Sequence, residues 1–420
     1  MSHRWRNILL SLSVASILFA ACNRKYSSDD PLPTSYSPSI IINSDNQVVY
    51  AFHPTTGKKN WELSMPSLSG LISTEFTPSP LLYKGSLYLT SINSDTIYKV
   101  NAKTGKLIKK LVTDPFHSFT VVASPIADGK MLYLATTNNF IYALDTADGK
   151  VIWEWDAGSP IISSPTIYDG KIYFGTTGGT VFALDKNTGP IIDPTSGAEV
   201  PVWAYTPISP YTSLPSAKFV SSACVHPPYL YIGSVSDSTM YCLYLNPTVE
   251  TPPTYAGVER WRYKTNGGIY SSPTAKAGRV IFGSNDFHIY CLDTSIDSSR
   301  GRIVPTKIWS DSTRSQIYSS PFIANQIVYI GCHDYNLYAI NIIDGKVKWT
   351  YKTNGLIKSS PLEYRGMVYV GSYDKNLYAI DSATGTLKWY QNTNGNIECS
   401  PVLDDLSGNS FNSGISGFVQ

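Results

Sequence analysis

The chain has 420 residues, 15% of them charged, and a formal net charge of +2. That balance excludes the concentrated basic footprint that nucleic-acid recognition needs, so no nucleic acid is expected as partner. The length admits two or three ordinary domains, but a long internal repeat points to a single body.

At the N-terminus Arg4 and Arg6 precede an apolar run over residues 8–21, which is too short to span a bilayer comfortably. A charged start followed by such a run reads as a secretory signal over 1–21. Ala20 and Ala21 directly before Cys22 resemble a bacterial lipobox, with Phe19 where the usual pattern has Leu. The resemblance implies acylation of Cys22, and several acyl chains at about 0.8 kcal/mol per CH₂ hold a protein firmly to a membrane. Asn23 is not the Asp that retains some lipoproteins at the inner membrane, so the expected location is the bacterial envelope, at the outer membrane. Residues 22–37 are polar, carry two prolines and lack periodicity, as a lipid-anchored flexible tether would.

From 38 to 404 two anchors recur about every 40 residues. A Ser-Pro step occurs at Pro80, Pro125, Pro165, Pro273, Pro321, Pro361 and Pro401, with Ser221-Ser222-Ala223 standing in once. A Tyr-Ala-Leu-Asp-like strand centres on Tyr50, Tyr98, Tyr142, Phe182, Tyr241, Tyr290, Tyr338 and Tyr378. Both anchors count eight. Within a unit, alternation and turn residues predict four antiparallel strands, for example 361–364, 367–372, 376–381 and 387–391. Residues 40–61 lack a first strand and 400–404 supply one without partners. The fold class is therefore all-β, an eight-bladed β-propeller in which the N- and C-terminal strands complete one blade together and remove an open edge. Residues 405–420 read as a C-terminal tail.

The third turn of each unit carries the pattern Ala-x-Asp-x-x-x-Gly-x-x-x-Trp, as in Ala379, Asp381, Gly385 and Trp389. Asp caps the turn, Gly takes positive φ, and Trp reaches the next blade. Seven of the nine tryptophans occupy the slot, namely Trp61, Trp153, Trp203, Trp261, Trp309, Trp349 and Trp389. Such repetition reads as structural docking rather than a ligand cage. Blade two departs, with Lys109 in the Trp slot, which predicts one weakened joint.

This motif resembles the tryptophan-docking motif of quinoprotein-like propellers with PQQ-like repeats, a family that includes pyrroloquinoline quinone (PQQ) dehydrogenases and the outer-membrane assembly lipoprotein BamB. The dehydrogenases of that family commonly hold PQQ between a Trp and adjacent cysteines, over Ca²⁺, with an Asp as base. This chain has no adjacent Cys pair. The resemblance then implies a non-catalytic, monomeric envelope scaffold of the BamB type. Such a scaffold would bind a protein partner in outer-membrane β-barrel assembly, with no cofactor and no metal expected. Two alternatives remain: a PQQ-dependent oxidoreductase using PQQ and Ca²⁺, and a glycan or small-ligand receptor.

Asp286, Asp334 and Asp374 recur at one turn position and read as turn caps rather than acids or metal ligands, and His288 and His333 beside them read as single surface residues. Cys224, Cys242, Cys291, Cys332 and Cys399 fill slots held elsewhere by Ala or Ser, as packing thiols do. Function is expected where the repeats disagree. The residue before the Ser-Pro step varies through Ile162, Tyr270, Tyr318, Lys358 and Glu398 and should ring the channel mouth, making Tyr270, Tyr318, Lys358 and Glu398 the candidate binding rim. Long loops at 190–200, 246–257 and 295–307 belong to the opposite face, and a further loop at 206–218 to the rim face.

Overall fold

The computed structural model describes residues 36–65, 78–91, 94–112, 120–245, 257–294, 305–406 and 410–412. Among these the regular structure is all strand, in eight blades. Cys22, the expected lipidation site, and the expected signal over 1–21 lie outside the described residues. Blade eight is representative, with strands Leu362–Tyr364, Met367–Gly371, Asn376–Asp381 and Leu387–Asn392 in that order from axis to rim. Blades two to seven repeat it, starting at Leu81, Ile126, Thr166, Cys224, Thr274 and Phe322.

The termini meet as expected. Val402–Asp404 pairs antiparallel with Ser39–Ser44, with Leu403 opposite Ile40, and blade one continues outward through Val48–Phe52 and Lys59–Ser64. Ser410–Asn412, within the stretch read as a tail, adds a fifth strand on the inner edge of Val402–Asp404. Three residues with no counterpart in the repeat carry no sequence period that would reveal them.

In blades seven and eight strands two and three are almost wholly buried, because both of their faces pack on neighbouring blades. The docking motif joins the blades at the outer end. The Trp349 Nε1 and the Tyr329 hydroxyl both donate to the Ser382 carbonyl of the next blade, at 3.0 and 3.2 Å. Trp389 and Tyr369 converge in the same way on Pro54, at 2.8 and 3.2 Å, across the closing joint. Trp61, Trp153, Trp203 and Trp309 donate to Ala102, Lys186, Leu245 and Ile342. Trp261 packs its ring against Tyr231 at 5.7 Å. The docking glycine has two roles: Gly385 has φ +73°, and a Cβ there would fall 2.7 Å from the Trp349 ring.

Blade two solves its joint differently. Lys99 stands opposite Lys109, where blade three sets Ala143 opposite Trp153. The two ammonium groups donate to the Thr146 and Ala147 carbonyls of blade three at 3.0 and 3.2 Å, and Leu111 covers Gly149. The joint exchanges an indole for two charge-assisted hydrogen bonds instead of simply losing a contact.

Candidate functional site

The Ser-Pro steps build the wall of the channel. In each blade the serine just before the proline position donates its N–H to the hydroxyl of its counterpart in the next blade: Ser79 to Ser124, then Ser164, Ser222, Ser272, Ser320, Ser360 and Ser400, which returns to Ser79. The eight bonds span 2.8 to 3.1 Å and close a circle. The serine before it works within its own blade. The hydroxyls of Ser163, Ser221, Ser271, Ser319 and Ser359 accept from the N–H of the glycine ending strand two. In blade one Cys399 takes that place, its thiol donating to the Asn43 carbonyl at 3.1 Å and accepting from the Asn43 N–H at 3.3 Å.

The segment leading into each Ser-Pro step alternates. Ile269, Ile317, Ile357 and Ile397 are fully buried over Gly233, Gly283, Gly331 and Gly371 of the preceding blade, close enough that a Cβ there would meet each Ile within 2.4 Å. The next residue faces the channel mouth half-buried. These positions are Val122, Ile162, Val220, Tyr270, Tyr318, Lys358 and Glu398 among the described residues. The structure thus gathers the four predicted rim residues on one arc, with an aliphatic arc beside it. Tyr270 and Tyr318 have ring centroids 4.6 Å apart, and Lys358 pairs with Glu398 at 3.2 Å.

Three residues that sequence reading left out of the rim belong to it. His333 stacks on Tyr318 at 4.5 Å and 13°, Tyr373 lies under the Lys358 ammonium at 5.3 Å, and Asn285 donates to the Tyr318 hydroxyl at 3.4 Å. All three occupy the same turn position, after strand two and before the turn Asp. That position is held against the rim segment by bonds such as His333 N–H to the Gln316 carbonyl, at 3.1 Å. Their shared offset from the Asp was the available signal. His333 is therefore not a plain surface residue: its Nε2 is buried without a hydrogen-bond partner, as is the Asn285 Oδ1. Burial, reinforced by the Lys358 charge, holds the His333 pKa below its ordinary 6.5. His288 lies 3.6 Å from Asp286, outside this stack.

The turn aspartates tie the rim segment down. Asp334 accepts from the Arg314 N–H at 3.0 Å, the Tyr338 hydroxyl at 2.5 Å and the Asn336 N–H at 3.0 Å. Asp286 and Asp374 repeat the arrangement with Asn266, Tyr290 and His288, and with Asn354, Tyr378 and Asn376. Burial raises the Asp334 pKa, but the donors from Tyr338, Arg314 and Asn336 outweigh it and leave the group below its ordinary value. These three carboxylates are turned toward their own turns and the adjoining segment. Asp334 and Asp374 each accept from four donors, the amide of Asn336 or Asn376 adding the fourth, and no cluster of three acidic, His or Cys side chains suited to a metal occurs among the described residues. The five described cysteines are buried and free.

The long loops differ in character. Residues 190–200 fold as a hairpin of Ile191–Ile192 with Glu199–Val200 around an Asp193-capped turn, and carry exposed Ile191 and Ile192. On the rim face, 206–218 is bridged from Ile208 to Pro215 and presents Ile208, Tyr211 and Leu214, with Tyr211 94% exposed. Most of 246–257 and 295–307 lies outside the described residues.

A family model described as outer membrane protein assembly factor BamB matches residues 44–223 and 296–409. The chain belongs to the BamB family. No curated protein sequence matches it. Among solved structures, BamB from Moraxella catarrhalis is similar at TM-score 0.58 and 16% identity, over 83% of this chain and 94% of that one. The computationally designed Ika8 protein matches at 0.61 and 14%, over 80% and 95%. Quinohemoprotein alcohol dehydrogenase from Comamonas testosteroni matches at 0.59 and 12%, over 78% and 70%. At these identities the likeness is one of fold, which BamB shares with redox enzymes.

Proposed function

We propose that this protein is a non-catalytic scaffold of the bacterial envelope, lipid-anchored through Cys22, that assists outer-membrane β-barrel assembly through protein contacts. Membership of the BamB family over most of the propeller carries the reading. The surface supports it: paired loops present Ile191 and Ile192 on one face and Ile208, Tyr211 and Leu214 on the other, the kind of apolar anchors that partner recognition uses. The turn aspartates serve the backbone rather than a reacting group.

The test is capture of the full-length chain from solubilised envelopes. The reading expects a barrel-assembly protein to co-purify, and expects Tyr211→Ser with Leu214→Ser to weaken that association. Saturable binding of PQQ with Ca²⁺, together with dye reduction, would instead establish the redox alternative. A second reading rests on the Tyr270–Tyr318–His333 stack with the buried Asn285 Oδ1 and His333 Nε2 beside it. Such a surface suits a small ring-bearing ligand such as a sugar, and titration with envelope glycans distinguishes it.

A further inference from the structure

Blade two is unlike the other seven in charge. Its stretch 99–112 holds Lys99, Lys103, Lys106, Lys109 and Lys110 and no acidic residue. All but Lys99 are exposed, as are Lys84 in the first turn of the same blade and Lys58 and Lys59 at the third turn and outer strand of blade one. In an antiparallel blade the first and third turns lie on one face, so Lys58, Lys84, Lys103 and Lys106 are presented together opposite the channel mouth, with Lys59, Lys109 and Lys110 on the adjoining outer strands. Exposed Ile108 sits among them.

Among the described residues the nearby carboxylates are fewer than the lysines, and the Lys103 charge acts on Asp404. Glu62 is bonded to Lys59, and Asp404 is buried, with Asp405 next to it. In the facing turn of blade three, Asp145 and Asp148 accept from backbone N–H groups of their own turn. The placement of a lysine in the Trp slot belongs to this blade only among the eight, and so does the lysine opposite it.

The chain also enters the ring here. The Asn60 side chain, beside Lys59, donates to the Pro38 carbonyl at 3.0 Å and to the Ser39 hydroxyl at 2.8 Å, and accepts from the Ser37 hydroxyl at 3.1 Å. A tether from Cys22 spans at most about 50 Å when fully extended. Any membrane that holds Cys22 is therefore within reach of the lysine-bearing face, and the tether starts from that face.

We propose that the lysine-rich face of blades one and two docks on the anionic phospholipid headgroups of the membrane that holds the lipid anchor. This rests on the lipid-anchored reading. Phosphate-bearing headgroups attract the lysines within about 10 Å at ordinary salt, each lysine near the surface strengthening binding about fivefold, and Ile108 meets the interfacial layer. The tether raises the local concentration of the surface, so modest intrinsic affinity suffices to orient the propeller. Docking on this face turns the channel mouth, with its rim and the 206–218 hairpin, away from the membrane.

A soluble chain starting at Tyr36 tests this separately from lipidation, because every described strand of the closed ring comes from residues 39–412. It is floated with vesicles of phosphatidylcholine, either alone or with about one third phosphatidylglycerol. The expected result is binding to the anionic vesicles only, abolished by high salt. Lys103→Glu with Lys106→Glu should lower it at least about tenfold, while the same double reversal at Lys346 and Lys348 of blade seven leaves it unchanged. Circular dichroism reports folding of each variant, and Lys103→Gln with Lys106→Gln, which should weaken binding several-fold, serves if the reversal disturbs the turn. Equal binding to both vesicle types, no loss in the blade-two variants, or an equal loss in the blade-seven variant overturns the proposal. Lipidation itself is read from the mass of the mature N-terminal peptide of the full chain, so the two failures are distinguishable.

Discussion

Ser400 donates its backbone N–H to the hydroxyl of Ser79 at 2.8 Å, and with that bond the circle of serines around the channel is complete. The two residues are far apart in sequence, and the bond joins blade one to blade two at the innermost layer. A ring of this kind has no weak first link, since each hydroxyl accepts from the N–H of the preceding blade. Ser360→Ala should therefore leave the buried Ser320 N–H without a partner and cost about 1–3 kcal/mol, read as a lower urea midpoint with unchanged slope. A neutral result would show that water replaces the hydroxyl.

The outer joints should be unequal. Trp349→Ala removes a ring packed on Gly385 and Tyr329 and a hydrogen bond to Ser382, and should cost about 3–5 kcal/mol. Lys109→Ala removes an exposed ammonium from the Ala147 carbonyl and should cost under about 1.5 kcal/mol. Thermal unfolding of the two variants side by side checks the ranking.

His333 gives the rim a pH dependence of definite sign. Its folded pKa lies below 6.5, with burial the larger cause and Lys358 the second. As pH falls through 6.5, the unfolded chain takes up a proton that the folded ring resists, so stability is lost on acidification and the effect is absent above that value. His333→Phe keeps a ring against Tyr318 and removes the titration. The variant should lose less stability than the parent between about pH 8 and about pH 5 in urea melts, and parallel losses would exclude the buried-imidazole account.

What the sequence made legible follows from what repeats. Trp349, Gly385 and Ser360 recur at fixed spacing, so blade number, strand order and closure could be read from period alone. The partners of these residues could not. That Ser360 serves Ser320 across a blade boundary depends on the curvature of the ring, which a linear pattern does not contain. His333 and Asn285 were hidden for a related reason: their neighbours Tyr318 and Gln316 come from a segment that crosses the mouth, and only the strand register brings them together. Lys99 escaped because it replaces an alanine, and its meaning appears only when Lys109 is seen opposite it. The strand Ser410–Asn412 has no repeat to announce it.

The cysteines should behave as packing groups in chemistry as well as in geometry. Burial pushes the thiols of Cys291 and Cys399 up to about 12 and that of Cys332 up to about 11, so at about pH 8 the reactive thiolate is a minute fraction in the folded ring. Alkylation of the native chain should be slower at all three by more than about a hundredfold than after unfolding, as peptide mass spectrometry would show. Cys399 adds a sharper test. Its thiol both donates to and accepts from Asn43, the exchange that a serine hydroxyl makes with glycine in other blades. Cys399→Ser should therefore hold stability close to that of the parent, whereas Cys399→Ala, which abandons the Asn43 N–H and carbonyl in a buried site, should cost about 1–3 kcal/mol. Rapid labelling of Cys399 in the native ring, or equal stability of the two variants, would remove it from the serine-like role.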